Sequence, residues 1–254
     1  NNFSTNPKFK DALRGSKKCI KYDCDTIIAI GGGSVIDMAK IINAFIFNKG
    51  KEKDLVLGNT MINTNLLNFV AIPTTSGTGS EETHFAVVYI KDKKYSLASK
   101  KLLPNVSIVD PYFTKNLDNY TKASAAFDAL SQSVESFWNI YATEKSLRYA
   151  AKSINLILDN INDYMDHSSE RSRINMSKGS NLSGKAINIT KTTAPHAISY
   201  PITTFCNIPH GHAVAISLGK FFVINSSLKT KYKMNANLNY NLNKRMKDLF
   251  RLFS

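Results

Sequence analysis

No uninterrupted apolar stretch in the 254 residues approaches the roughly 20 needed to cross a bilayer, and the polar start Asn1-Asn2-Phe3-Ser4-Thr5 offers no signal-peptide core. Those absences argue against a membrane-spanning helix and make a cytoplasmic location the expectation. Cysteine is scarce. Cys19, Cys24 and Cys206 are an odd number, at spacings that match neither a zinc knuckle nor a disulfide framework, and they read as reduced thiols. Acidic side chains are outnumbered, 19 against 33 Lys and Arg, which leaves a net charge of +14. Nucleic-acid binding needs such charge clustered, because each phosphate contact gains by releasing counterions. The densest run is Lys229, Lys231, Lys233, Lys244, Arg245, Lys247 and Arg251, and no base-reading motif accompanies it. A solvated basic surface is the reading kept, and its field would steer anionic nucleotides and substrates toward a cleft.

What is present is a packed globular composition, 43% hydrophobic, with short β-branched runs alternating with helical patterns in the first half. The runs are Thr26-Ile27-Ile28-Ala29-Ile30, Asn68-Phe69-Val70-Ala71-Ile72, Phe85 to Ile90 and Val106 to Val109, and they predict a parallel α/β sheet. Between the first two, Val35, Ile36, Met38, Ala39, Ile41, Ile42 and Phe45 recur at helical spacing, with Ser34 placed to cap the start. After Asp110-Pro111 the strand signals stop, and Ala123 to Tyr141 and Ser146 to Met165 read as helices. The expected organisation is an α/β dinucleotide-binding domain over residues 1–112 and an all-helical metal and substrate domain over 113–254. An Asn-rich stretch, Asn235 to Asn243, is the one biased tract.

Gly31-Gly32-Gly33-Ser34 directly follows a strand and opens a helix, where backbone can approach a pyrophosphate and the helix dipole favours it. A tight turn without a ligand would use the same glycines. A second loop, Pro73-Thr74-Thr75-Ser76-Gly77-Thr78-Gly79-Ser80-Glu81, follows the next strand with hydroxyls suited to phosphate and ribose, and two such loops at successive strand ends are hard to explain as turns. In the helical half Asp128 and Gln132 are four apart, on one helix face, and His196 and His210 lie further on. Each is bland alone; two histidines and an aspartate together make a plausible site for a divalent transition metal.

Four segments, Ile28-Ala29-Ile30-Gly31-Gly32-Gly33-Ser34-Val35-Ile36-Asp37, Pro73 to Glu81, Phe127-Asp128-Ala129-Leu130 and Ile208-Pro209-His210-Gly211, resemble the signatures of the iron-containing alcohol dehydrogenase family, in the family's order. The resemblance implies an α/β nucleotide-binding domain followed by an all-α domain, a dehydroquinate synthase-like fold, with the active site in the cleft between. It implies NAD or NADP as cofactor, with Gly31, Gly32, Gly33, Ser34 and Asp37 in the pyrophosphate segment, Thr74, Thr75 and Thr78 in the second nucleotide loop, and Lys94 at the nicotinamide ribose. Asp128, His196 and His210 align with three of the family's four ligands to a divalent metal, iron or zinc. Gln132 stands where the family has a fourth, histidine, ligand; it is either a weaker amide ligand or a substrate contact in a site that has lost its metal. Tyr200 stands where many members carry a histidine near the substrate, and reads either as a proton relay or as packing.

The run Gly184 to His196, with Phe127 to Gln132, further resembles the phosphonate-biosynthesis branch, whose members reduce phosphonoacetaldehyde to 2-hydroxyethylphosphonate. Lys185 and Lys191 would then meet a phosphonate dianion, unless they lie on a solvated helix face. The implied partner is a small aldehyde or alcohol, with no membrane and no nucleic acid, and a homodimer is open. A general short-chain alcohol dehydrogenase is the alternative, as is an inactive remnant. Set beside the family, the sequence is expected to lack the opening β-α unit and part of the helical domain's C-terminal end, which leaves the choice of coenzyme undecided.

Overall fold

The computed structural model describes residues 6–62, 64–228 and 241–253. The polar start at residues 1–5, the lysines Lys229, Lys231 and Lys233, and residues 235–240 of the Asn-rich stretch lie outside them. The chain forms two compact units, Asn1–Thr75 with Ser80–Phe113, and Ser76–Gly79 with Thr114–Ser254.

In the first unit α1 (Phe9–Lys21) leads into β1 (Thr26–Gly31), α2 (Gly33–Ile46), the short α3 (Glu52–Leu57) and β2 (Asn68–Pro73). β1 and β2 pair in parallel from Thr26↔Asn68 to Gly31↔Pro73, and β5 (Val106–Ser107) joins the other edge of β2 through Val70↔Val106. Parallel strands need a crossover, and α2 supplies it; Ile36 and Ala39 pack against Ala29, Phe69 and Ala71 on one sheet face. β5 is shorter than the four-residue run expected, because the chain turns at Asp110-Pro111 into a single 3₁₀ turn, Pro111–Thr114.

Two expectations are corrected here. The run Phe85–Ile90 forms β3, but it pairs antiparallel with β4 (Lys93–Ala98) rather than joining the parallel sheet. Lys91 at φ +54° begins a two-residue reversal that sends the chain straight back, so the strand's partner is its immediate neighbour. Nor does Ser34 cap α2: the cap is Gly32, in extended backbone at ψ −179°, whose carbonyl accepts from the Val35 and Ile36 N–H groups. The helix therefore starts two residues earlier than its apolar periodicity suggests, and the Ser34 hydroxyl accepts from the Asn6 N–H.

The second unit is helical: α4 (Asn119–Trp138), α5 (Glu144–Asp166), α6 (Glu170–Thr190), α7 (Ala194–Cys206), α8 (His210–Ser227) and α9 (Leu242–Phe250). Side-chain caps define the starts of four of them: Asp118 accepts from the Thr121 N–H, Thr143 and Ser146 form a reciprocal capping box, Ser169 accepts from Ser172, and Asn241 from Lys244. Ala126, Val134, Ile154, Ile157, Tyr164, Met176 and Leu249 form the core, where each fully buried isoleucine contributes about 1.5–3 kcal/mol. Arg245, part of the basic run, is structural: its guanidinium donates to the Asn139 and Ala142 carbonyls and pins α9 to the turn after α4.

α4 is the unit's central helix, buried continuously from Asp128 to Trp138. A helix buried on all sides is ordinarily apolar throughout. This one carries Asp128, Ser131, Gln132, Ser133, Glu135 and Ser136 into the interior, and that anomaly marks the site. Gly211 lets α8 meet α4, since a Cβ there would lie 1.8 Å from the Ser124 carbonyl oxygen.

Candidate functional site

Asp128 and Gln132 sit one turn apart on α4, His196 in the first turn of α7 and His210 at the first residue of α8. One donor atom from each of Asp128, His196 and His210 lies within 4.8 Å of the other two, with Asp128 and His196 only 3% exposed. His196 Nε2 is 3.3 Å from Asp128 Oδ1, and the two imidazoles meet edge to face with centroids 5.3 Å apart. Burial works against the Asp128 charge, yet the bond to His196, the nearby His210 and Gln132 outweigh it and hold the carboxyl below its ordinary range. One carboxylate and two imidazoles, gathered in a water-poor interior, are a donor set that suits iron or zinc, with further positions open to other ligands.

Gln132 is fixed in a particular sense. Its NH₂ lies 3.2 Å from both the Thr78 carbonyl and Asp128 Oδ1, and its Oε1 accepts from the Ser183 hydroxyl at 2.9 Å. A carbonyl only accepts, so the NH₂ must face Thr78; the amide oxygen, the atom able to ligate a metal, is thereby turned to Ser183.

The other face of His196 reveals a residue that sequence reasoning missed. Glu135, fully buried on α4, accepts from His196 Nδ1, and its second oxygen accepts from the Thr193 N–H and from the Thr193 hydroxyl at 2.7 Å. Trp138 Nε1 closes the network onto Thr193 Oγ1 at 2.9 Å. Burial opposes a charge on His196, but the Glu135 and Asp128 carboxylates overcome it and push the pKa up to about 9. Glu135 stands seven residues after Asp128, on the same helix face, so spacing could have found it; a helical glutamate ordinarily reads as solvated.

Tyr200 stacks on His210, with centroids 6.0 Å apart and planes at 19°. Ser199 Oγ lies 3.3 Å from His210 Nδ1. Lys185 is half-buried on α6 beside Gly184, whose Cα approaches Gly79 so closely that a Cβ on Gly79 would sit 2.5 Å from it. Lys191 follows α6 at φ +62° and lines a cavity of about 520 Å³ with Trp138, Tyr141, Thr193, Phe221 and Leu228.

In the first unit, the Gly31-Gly32-Gly33 turn joins β1 to the start of α2, where no side chain caps the helix and its first N–H groups suit an anion. Thr74 N–H donates to the Gly31 carbonyl at 3.1 Å, and a Cβ on Gly32 would touch Thr75 at 3.4 Å, so both threonines adjoin the turn. Thr78 instead belongs to the second unit, bound to Gln132. Asp37 is buried and its Oδ2 accepts from the Val87 N–H at 2.9 Å; burial pushes its carboxyl up, against the pull of Lys40 and Val87. Lys94 on β4 adds a weaker attraction to the same carboxylate.

Lys40, also unanticipated, is fully buried: its ammonium donates to the Ser80, Thr83 and Phe85 carbonyls at 2.6, 2.7 and 3.0 Å and to Thr83 Oγ1 at 3.0 Å. Burial lowers its pKa to about 8 against the attraction of Asp37, Glu81 and Glu82. It ties α2 to the end of the hydroxyl-rich loop.

Comparison with known proteins agrees with this layout. Residues 1–111 match the family model "Iron-containing alcohol dehydrogenase", and residues 122–254 match "Fe-containing alcohol dehydrogenase family, C-terminal". The chain is 31% identical over 236 residues to phosphonoacetaldehyde reductase of Streptomyces viridochromogenes, covering 88% of this chain and 58% of that protein. It is 32% identical over 197 residues to long-chain-alcohol dehydrogenase 1 of Geobacillus thermodenitrificans, covering 76% of this chain and 50% of that one. The chain thus spans about half the length of these curated relatives. Sulfoacetaldehyde reductase from Bifidobacterium kashiwanohense, solved in complex with NAD⁺, superposes with a TM-score of 0.86 at 27% identity over 100% of this chain and 70% of that one. With two successive family models spanning both units and an α/β region followed by a helical one, the chain belongs to the iron-containing alcohol dehydrogenase family.

Proposed function

We propose that the protein reduces a small aldehyde to a primary alcohol with NADH or NADPH, and that Asp128, His196 and His210 hold a divalent metal for the purpose. The observation that carries the proposal is the buried carboxylate and two imidazoles, backed by Glu135 on the far side of His196. When bound, the metal would polarise the carbonyl oxygen and the reduced nicotinamide would supply the hydride.

The chain's own residues do the rest. The uncapped start of α2 and the hydroxyls of Thr74 and Thr75 receive the pyrophosphate. Glu135 holds the His196 proton on Nδ1 and so directs Nε2 toward Asp128. Gln132 clamps Asp128 and Thr78 and is not a fourth ligand, which leaves a two-histidine, one-carboxylate set. Tyr200, against the face of His210, is the residue assigned to deliver the proton that completes the alcohol.

The substrate proposed is phosphonoacetaldehyde, giving 2-hydroxyethylphosphonate. Two relatives act, by name, on two-carbon aldehydes that carry an anionic group, phosphono in one and sulfo in the other. The basic balance of this chain and the lysines Lys185 and Lys191 suit such a tail. The test follows NADH and NADPH oxidation with phosphonoacetaldehyde and with acetaldehyde, before and after treatment with a chelator and metal restoration. A preference for the phosphonate that chelation abolishes supports the reading. Equal or faster turnover of acetaldehyde removes the phosphonate assignment, and turnover indifferent to chelation removes the metal.

A further inference from the structure

Helix α1 ends in a Schellman cap. Tyr22 closes the helix, Asp23 follows in the left-handed region at φ +47°, and two backbone bonds run back into the last turn: Asp23 N–H to the Ile20 carbonyl at 3.2 Å and Cys24 N–H to the Cys19 carbonyl at 3.1 Å. In this motif the side chains two positions past the cap and three positions before it commonly make an apolar contact, because the six-residue hydrogen bond brings their backbones together. Here those two positions are Cys24 and Cys19. The two thiols are close enough to influence each other electrostatically, with Cys24 exposed and Cys19 half-buried. A disulfide needs Cα atoms roughly 4.4–6.8 Å apart with Cβ vectors converging, and few local structures offer this between residues five apart. The Schellman cap holds the Cys19 and Cys24 backbones together through the Cys24 N–H to Cys19 carbonyl bond at 3.1 Å.

We propose that Cys19 and Cys24 form a reversible disulfide by exchange with a small-molecule disulfide of the glutathione type. Cys24, open to solvent, loses its proton and attacks one sulfur of the small disulfide; that S–S bond breaks, and one small thiol leaves with a proton. Cys19 then loses its proton and attacks the Cys24 sulfur of the mixed disulfide, expelling the second small thiol. Two protein thiols are oxidised and one small disulfide is reduced to two thiols, so atoms and electrons balance. The order of attack follows from exposure, and it is reinforced by burial and the adjacent Cys24 thiol, which raise the Cys19 pKa and make it the poorer first nucleophile. The bridge fastens the end of α1 two residues before β1, the strand that runs into the Gly31-Gly32-Gly33 turn. It sets a redox-dependent staple on the nucleotide-binding unit, separate from the metal ligands.

The test exposes the protein to graded mixtures of oxidised and reduced glutathione, quenches with acid, alkylates with a maleimide, and reads intact mass and peptide linkage. Wild type is expected to lose two alkylatable thiols together, to yield a Cys19–Cys24 linked peptide, and to carry almost no glutathione on Cys24. Cys19→Ser, with its resolving thiol gone, should accumulate the mixed disulfide at Cys24 roughly tenfold above wild type. Cys24→Ser should leave Cys19 the slower thiol. Cys206, which is also exposed, serves as the internal control. Stable glutathione on wild-type Cys24 at the Cys19→Ser level would overturn the proposal, and so would two alkylatable thiols persisting where Cys206 is fully modified. Circular dichroism of both serine variants confirms that they fold.

Discussion

Replacing Glu135 by glutamine should disable metal binding while leaving the fold intact. The carboxylate accepts on both oxygens, from His196 Nδ1 on one and from the Thr193 N–H and hydroxyl on the other. The Thr193 N–H can only donate, so in the variant the amide oxygen must face Thr193 and the NH₂ must face His196. A His196 ready to ligate carries its proton on Nδ1, and that N–H would then meet the NH₂ donor to donor. Relief comes from moving the proton to Nε2, the atom that faces Asp128, where it occupies the ligating lone pair. One unsatisfied buried donor costs about 1–3 kcal/mol, and a charge-assisted bond is lost with it, for a total near 3 kcal/mol or about a hundredfold in metal affinity. The loss matches the range of about 10–100-fold seen when the group behind a ligating histidine is removed. Glu135 also raises the His196 pKa, so its removal lessens proton competition and masks part of the loss at neutral pH. The assay is therefore a chelator-competition zinc titration near pH 9, with circular dichroism and Tm in parallel. Zinc affinity within about threefold of wild type, in a folded variant, would refute the reasoning.

Gln132→His should raise zinc affinity by about tenfold or more, because an imidazole donor replaces an amide whose oxygen is turned to Ser183; no gain in the same titration would mean that this position does not face the metal. In the metal-free protein His196 titrates near 9 rather than 6.5, so the folded state binds the extra proton. Its stabilising contribution is complete below pH 6.5 and is lost as pH rises through about 9, and a metal must displace that proton. Metal affinity should accordingly climb between pH 6.5 and 9 and then level off, whereas a flat profile across that window contradicts the His196–Glu135 coupling. Gly211→Ala places a Cβ 1.8 Å from the Ser124 carbonyl oxygen and 3.0 Å from Asp128 Cβ. Overpacking of that severity costs about 3 kcal/mol, a Tm fall of roughly 6–12 °C, and a change under about 2 °C would show that α8 yields freely.

The parts legible in the sequence were those whose signal is local. The three-glycine turn, the apolar runs of β1 and β2, and the helical pattern of α2 depend on neighbours in the chain, and the structure places them where the pattern indicated, except that Gly32 rather than Ser34 caps α2. Asp128, His196 and His210 were recognisable through family motifs, and the fold brings them together. Other features were set by tertiary partners. β3 has the composition of a buried parallel strand, and only the reversal after Lys91 decides that it pairs with β4. Glu135 and Lys40 look like surface charges until the backbone closes around them, supplying Thr193 and His196 to one and three carbonyls to the other. The sequence leaves Gln132 as either a ligand or a substrate contact; which of its amide atoms faces Asp128 depends on the Thr78 carbonyl, which is far away in sequence.

The proposed chemistry requires that Asp128, His196 and His210 together hold one divalent metal. Titrating the metal-free protein with cobalt(II) and following its visible absorption tests this directly, in wild type and in the Asp128→Ala, His196→Ala, His210→Ala and Gln132→Leu variants. Wild type should bind one cobalt per chain, each of the first three variants should lose tight binding, and Gln132→Leu should keep the wild-type band positions. Cobalt binding that survives the loss of His196 and His210, or that fails in wild type, would contradict that assignment.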